Sequence, residues 1–138
     1  MFLEMGRVSE AAVEPLARAS AAYFETAIPG GAYVAWVAVP VADPTRIIAG
    51  GAVQRRRVLP RPDDRDPTRI IDEEAHIVNV YTDPDWRRRG IAVGLMRHIL
   101  AWTRTEGLRR VGLHASAAGR PMYEQLGFKP TNEMLYDR

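Results

Sequence analysis

Three arginines and a glycine at residues 87–90 (RRRG) stand directly in front of an apolar stretch that begins at Ile91. If that stretch is a helix, its first backbone N–H groups have no partners within the helix and lie at the positive end of the helix dipole, where anions bind. A glycine lets a bulky anion approach the backbone, and arginine adds charged donors. The pattern therefore indicates a phosphate site, although a solvated charge run or a nucleic-acid patch would use the same residues.

The elements that must position this stretch follow from the hydrophobic pattern around it. Residues 75–82 (AHIVNVYT) predict a central strand, because apolar residues fall on both of its faces. Apolar residues at helical spacing from about residue 90 to residue 105, with Gly107 as a stop, predict a long helix after it. The predicted anion site therefore lies on a strand–turn–helix connection.

The rest of the chain alternates between helical and strand patterns. We predict a helix over 9–28, a strand over 32–39, its hairpin partner from residue 46, a strand over 109–115, a short helix over 119–127 and a last strand from residue 128. Pro15 is expected to kink the first helix or to delay its start. Residues 58–69, with three prolines, predict an exposed and partly disordered loop. This order predicts one α/β domain over residues 1–138 with a mixed sheet.

Composition excludes several classes of protein. The 138 residues are 46% hydrophobic and 26% charged, which is ordinary for a globular chain. The absence of cysteine excludes disulfides, cysteine–zinc sites and thiol intermediates. A formal charge of +2 is too small to indicate nucleic-acid binding by itself, no apolar run approaches the ~20 residues of a membrane span, and no signal peptide is recognisable. We therefore expect a cytoplasmic protein without a nucleic-acid, membrane or metal partner.

Two motifs resemble the signatures of the GNAT superfamily, the acyl-CoA-dependent N-acyltransferases. The first is Arg87-x-x-Gly90-x-Ala92, after "VYTDPDW". The second is Tyr123-x-x-x-Gly127-Phe128 within "GRPMYEQLGF", at the expected distance after a helix and a strand. Either motif alone is weak, but the two in this order make the resemblance specific. It extends from about residue 32 to the C-terminus and implies a mixed, largely antiparallel sheet flanked by helices.

The resemblance implies an N-acetyltransferase that passes the acetyl group of acetyl-CoA directly to a primary amine of a small molecule or protein. In the family, backbone N–H groups at the end of the central strand polarise the acetyl carbonyl, and the turn grips the CoA pyrophosphate. Ser116 stands where the family often has an asparagine. The implied acetyl-CoA site comprises Val80, Tyr81, Thr82, Arg87, Arg88, Arg89, Gly90, Ile91, Ala92 and Ser116.

The same resemblance makes Tyr123 the candidate general acid, because a phenol of pKa ~10 can protonate a thiolate whose parent pKa is ~8.5. The base is open. The strand glutamate of many members is replaced by Val78, whereas His76 corresponds to a strand histidine of the serotonin N-acetyltransferase branch. A structural role for His76, or a water chain without a dedicated base, is an alternative. Asn79 is a candidate to orient substrate, and Glu133, on the predicted last strand, a candidate to attract an ammonium acceptor.

The chain departs from the family at its start, where a strand normally precedes the first helix. That strand is lost, replaced by another element or subunit such as a homodimer partner, or cut off by truncation. Two alternative functions are also compatible with the sequence. One is an acyl-CoA sensor of the same fold without turnover, which the missing strand glutamate favours. The other is a nucleic-acid binder using the arginines at 55–57 and 87–89, which predicts a strong salt dependence. The identity of the acceptor and the length of the acyl group are left open.

Overall fold

The computed structural model describes residues 9–137, which form three helices around one sheet. The helices are α1 (Glu10–Ala27), α2 (Ile91–Thr105) and α3 (Arg120–Gln125), and the strands are β1 (Tyr33–Ala38), β2 (Ala49–Pro62), β3 (Ile70–Thr82) and β4 (Val111–Leu113). β1, β2 and β3 are antiparallel neighbours, and β4 runs parallel to β3 at the edge. The predicted mixed, largely antiparallel sheet is confirmed. A strand before α1 is not seen among the described residues, and residues 1–8 lie outside them.

α2 packs on one face of the sheet and builds the main core. Met96 and Ile99, three residues apart on one side of the helix, are fully buried against Val53 of β2 and Ile77 of β3. The C-terminal end of α1 covers the opposite face, where Phe24 and Ala27 pack against Tyr33, Ala52 and Val78. Adjacent strand residues point to opposite faces, so β1, β2 and β3 each contribute side chains to both clusters.

The expectation of a loop over residues 58–69 is wrong. β2 continues to Pro62 and β3 begins at Ile70, so these residues form the far end of a long hairpin. Proline is tolerated because β1 pairs only with the first half of β2, and the other half leaves one edge without ladder bonds. At the tip, Asp63 is 4% exposed, accepts a hydrogen bond from the Arg65 backbone N–H at 2.9 Å and pairs with Arg109. That ion pair fastens the hairpin tip to the segment that enters β4.

The predicted last strand from Phe128 is also wrong. The Phe128 N–H donates to the Tyr123 carbonyl at 3.0 Å and its ring joins the core beneath α2, but residues 128–137 form no strand. Met134, Leu135 and Tyr136 are 85–91% exposed. The apolar run looks like a strand in sequence, but it contributes no buried side chain that would hold it against the sheet. At the other end, Pro15 lies inside α1 and does not delay its start.

Candidate functional site

The arginine–glycine turn connects β3 to α2, as predicted. After Thr82, the Asp83 carboxylate accepts a hydrogen bond from the Asp85 N–H at 3.0 Å and starts a short 3-10 helix over Pro84–Trp86. Arg88 and Gly90 then adopt left-handed backbone, with φ of 61° and 76°. This conformation costs a non-glycine residue about 1 kcal/mol or more, and such strain clusters at functional sites.

A cavity of about 370 Å³ opens at this turn. It lies between the turn, the first residues of α2 and the segment around α3. Its lining residues are Thr82, Trp86, Arg87, Arg88, Gly90, Ile91, Ala92, Val93, Ala118, Pro121, Met122 and Gln125. No carboxylate is among them, and the first N–H groups of α2 are free of helical partners. The cavity therefore concentrates positive charge.

The three arginines of the turn differ in what their side chains contact. The Arg87 Nε donates to the Thr82 carbonyl at 3.0 Å, which closes the turn onto the end of β3. The Arg89 guanidinium lies 4.8 Å from the centre of the Trp86 ring, a cation–π contact. Arg88 has no hydrogen bond or ion pair with any residue in the described range 9–137 and lines the cavity. Arg88 is thus the arginine best placed to bind a ligand.

β3 extends beyond its pairing with β4. β4 pairs only with residues 75–77 of β3 and ends at Leu113, opposite Ile77. Val80, Tyr81 and Thr82 continue β3 beyond this pairing, and Thr82 lines the cavity. The end of β3 therefore connects the paired part of the sheet to the cavity.

Tyr123 on α3 is buried, with 9% of its surface exposed, and its ring packs edge-on against Phe128 at 5.9 Å between centroids. The end of the ring that carries the hydroxyl lies beside Gly119, since a Cβ built on that glycine would be 3.7 Å from Tyr123 Cζ. Burial raises the pKa of Tyr123 above its ordinary value, so the phenol keeps its proton over the whole physiological range. Tyr123 does not itself line the cavity, but its neighbour Met122 does.

His76 lies on the opposite face of the sheet, because its neighbours Ala75 and Ile77 face α2. Its ring stacks edge-on with His114, 4.8 Å between centroids. Burial lowers the pKa of His76, as do the charges of Arg56 and His114, while Glu74 and Glu133 act in the other direction. The imidazole is therefore neutral near pH 7 and able to accept a proton.

The remaining predicted site residues are spread around this centre. The Asn79 Nδ2 donates to the Tyr33 hydroxyl at 2.9 Å, and Val80 packs under α2. The Ser116 hydroxyl accepts the Gly119 N–H at 3.1 Å and does not line the cavity. Glu133 lies on the exposed segment after α3, near enough to influence His76. Tyr33 is buried, and the ring of Trp36 packs edge-on against Trp102 with 5.1 Å between centroids.

Sequence reasoning missed several cavity residues, namely Trp86, Val93, Ala118, Pro121, Met122 and Gln125. One signal was available. Pro121 and Met122 immediately precede Tyr123, so a helix that brings the tyrosine to the site must bring its own first turn as well.

Among residues 9–137 no helix is long and apolar enough to cross a membrane, and no three His, Asp or Glu side chains are grouped to hold a metal ion.

Comparisons with known proteins converge on one family. The family model described as Acetyltransferase (GNAT) family matches residues 21–128. The [ribosomal protein bS18]-alanine N-acetyltransferase of Salmonella typhimurium is 34% identical over 64 residues, which are 44% of this chain and 43% of that protein. Human N-acetyltransferase 8 is 28% identical over 74 residues, 51% of this chain and 32% of that protein. The alignments thus span less than half the length of these curated relatives.

Solved structures resemble the chain over almost its whole length. A predicted acetyltransferase from Clostridium acetobutylicum, whose crystal structure includes acetyl-CoA, is 26% identical with a TM-score of 0.78, over 99% of this chain and 82% of that one. A GCN5-related N-acetyltransferase from Ralstonia eutropha is 24% identical with a TM-score of 0.81, over 99% of this chain and 85% of that one. At 24% identity, the similarity to the Ralstonia eutropha protein supports the fold alone.

Proposed function

Because the chain belongs to the GNAT acetyltransferase family, we propose that it transfers the acetyl group of acetyl-CoA to a primary amine. One observation carries this proposal. The cavity at the start of α2 has arginine and free helix N–H groups but no carboxylate in its lining, and it is bordered by Thr82 at the end of β3, beyond the residues that pair with β4. Such a cavity suits a ligand with a diphosphate at one end and a long, uncharged arm at the other.

The residues present fit acetyl-CoA. The N–H groups at the start of α2, with Gly90 leaving the backbone open and Arg88 adding charge, would hold the diphosphate. The extended edge of β3 beyond Ile77 would accompany the pantetheine arm, and backbone N–H groups near Tyr81 and Thr82 would polarise the carbonyl. When bound, acetyl-CoA supplies the acetyl thioester that the amine attacks.

The proton transfers would be divided between the two faces of the sheet. His76, neutral near pH 7, would take a proton from the acceptor ammonium on the face covered by α1. Tyr123, kept protonated by burial on the α2 face, would give a proton to the departing thiolate. The acetyl group would lie near the end of β3, beyond the residues that pair with β4. The exposed Glu133, which influences His76, would favour a cationic acceptor.

The first experiment is calorimetric titration with acetyl-CoA. Wild type should bind in the micromolar range, and Gly90→Glu should abolish binding, because it places bulk and negative charge where the diphosphate would lie. Gly107→Glu is the matched control: Gly107 also has positive φ, 72°, with open space around it, but it follows the far end of α2. The two variants share the backbone strain and differ in location. Absence of binding in wild type would refute the proposal.

Turnover distinguishes the enzyme from the rival sensor of the same fold. Acetyl-CoA consumption should depend on an added amine, and Tyr123→Phe should slow it by about 10²-fold if protonation of the thiolate limits the rate. The amine panel should include a peptide with a free N-terminal alanine, since the bS18-alanine acetyltransferases are among the relatives. Tight binding without amine-dependent consumption for any acceptor would favour the sensor.

A further inference from the structure

β3 contains a bulge immediately before the strand end to which we assign the acetyl carbonyl. Ala52 pairs with Val78 and Gly50 pairs with Tyr81, so Gly51 alone faces two residues, Asn79 and Val80. Asn79 has φ of 56°, a left-handed conformation that asparagine tolerates better than most residues. A bulge turns the strand locally and changes the direction of the groups that follow it. The conformation of Asn79 therefore sets where the N–H groups of the strand end point.

One side-chain contact holds this bulge from the α1 face. The Asn79 Nδ2 donates a hydrogen bond of 2.9 Å to the Tyr33 hydroxyl. Tyr33 is only 8% exposed, and its ring packs against Phe24 of α1 at 4.6 Å between centroids. The bulge is thus tied to a buried, immobilised tyrosine and not to a flexible surface group.

The α2 face holds the other side of the bulge by close packing. A Cβ built on Gly51 would lie 3.0 Å from Ile99 Cδ1 and 3.7 Å from Val80 Cγ2. The absence of a side chain at Gly51 allows α2 to pack directly over the bulge. The position of the strand end is therefore fixed by packing on one face and by the Asn79–Tyr33 hydrogen bond on the other.

We propose that Tyr33 and Asn79 are positioning residues for acetyl transfer, whose hydrogen bond orients the backbone N–H groups at the end of β3 toward the acetyl carbonyl. The inference rests on the proposed function. The diphosphate would bind elsewhere, at the turn before α2, so loss of the hydrogen bond should affect the rate of transfer and not the affinity for acetyl-CoA. A small displacement of groups that stabilise a transition state lowers the rate considerably.

Two variants remove the hydrogen bond with little other change. Tyr33→Phe deletes only the hydroxyl and keeps the packed ring, and Asn79→Gly deletes the side chain and keeps a residue that accepts positive φ. Each should lower kcat about tenfold, with the Kd for acetyl-CoA by calorimetry within about twofold of wild type. The double variant should lose no more than either single one, because both remove the same contact.

Tyr23→Phe is the matched control, since the Tyr23 hydroxyl accepts a hydrogen bond from Gln54 at 3.1 Å in the same aromatic cluster but does not contact the bulge. It should leave kcat unchanged. Unchanged kcat in Tyr33→Phe and Asn79→Gly, or a loss confined to the Kd for acetyl-CoA, would overturn the inference.

A readout independent of activity separates this inference from the proposed function. Amide hydrogen exchange at Val80, Tyr81 and Thr82 should be faster in Tyr33→Phe than in Tyr23→Phe, because the bulge has lost its anchor. Equal exchange in both variants would refute the positioning role even in a protein with no turnover. Inactive wild type with the expected exchange pattern would instead refute the proposed acetyl transfer.

Discussion

Two arginine triplets, residues 55–57 on β2 and residues 87–89 before α2, are identical in sequence but differ in their partners. In the first triplet every arginine pairs with a carboxylate of β3: Arg55 with Glu73 at 2.8 Å, Arg56 with Glu74 at 3.6 Å and Arg57 with Asp72 at 3.3 Å. In the second, no arginine has an ion pair with a residue between 9 and 137. The same residue type therefore stabilises a hairpin in one place and remains available to an anion in the other.

The difference comes from what lies opposite each triplet. The antiparallel register places residues 73–75 across from residues 55–57, which brings the acidic residues 72–74 within reach of the arginines. Arg55 holds the pKa of Glu73 below its usual range through a hydrogen bond. Residues 87–89 are not paired with any strand of the described sheet, and the first turn of α2 contains no acidic residue. A run of arginines in a sequence is thus informative only together with its acidic partners. This also weakens the nucleic-acid alternative, since half of the charge that it requires is neutralised.

The largest expected effect comes from reversing the charge of Arg88, with the same reversal at Arg57 as the comparison. Arg88→Glu should weaken acetyl-CoA binding about 30-fold, because it removes a charged donor to the diphosphate and adds a repulsive group. Arg57→Glu makes the same change in net charge on an exposed hairpin side chain and should leave the Kd within about twofold. Calorimetry on both variants tests the difference. Equal losses would mean that the overall charge of the protein, and not the turn, governs binding.

Removal of a paired arginine should affect stability instead of binding. Arg55 contacts both Glu73 and Glu106, and its side chain is 24% exposed. Arg55→Ala should lower the free energy of unfolding by about 1 kcal/mol, seen as a lower urea midpoint at unchanged slope. Arg88→Ala, which breaks no ion pair, should change it by less than about 0.5 kcal/mol. A larger loss in Arg88→Ala would show that the turn arginine is structural.

The smallest effect concerns the pH dependence of turnover. Burial, followed by the positive charges of Arg56 and His114, lowers the pKa of His76 from 6.5. A base with a lowered pKa is already neutral at pH 7, so kcat/KM should fall only below pH 6.5. Arg56→Ala removes one of those charges, so the pKa should rise and the fall should begin at higher pH. An unchanged profile would indicate that Glu74 neutralises Arg56 completely or that His76 is not the base.

The sequence was sufficient where the signal is local. The strand–turn–helix connection could be predicted because Gly90 and the apolar spacing of α2 lie within a few residues of each other, and the two family motifs gave the fold. The far end of the hairpin could not be predicted, because three prolines indicate a loop. The Asp63–Arg109 contact that fastens this end joins residues 46 apart in the sequence. The prediction of a last strand was wrong because local β propensity does not form a strand without a partner strand.

In the site, too, the residues close together in sequence could be predicted and those brought together by folding could not. Gly90, Arg87 and Arg88 were predicted from the motif to bind acetyl-CoA, and they line the cavity. Gln125 was not predicted, because only the folded chain brings the segment around α3 over the turn, and Trp86 adjoins Arg87 but lies outside the motif. The role of Asn79 toward Tyr33 depends on a register shift between β2 and β3, which no spacing rule in the sequence specifies. The roles assigned to Tyr123 and His76 stay predictions.

The Asp63–Arg109 contact has a consequence for behaviour in acid. It closes a loop of the chain that contains β3, the turn and α2, which line one side of the cavity, whereas the segment around α3 lies outside this loop. The Arg65 backbone N–H, followed by Arg109, lowers the pKa of Asp63 below 3.8. A lowered carboxyl pKa gives stability that is present above the ordinary value and is lost only as the pH falls through the lowered one. On acidification this contact should therefore persist below the pH at which an ordinary aspartate is protonated, and the tip of the hairpin should stay attached to the segment that enters β4.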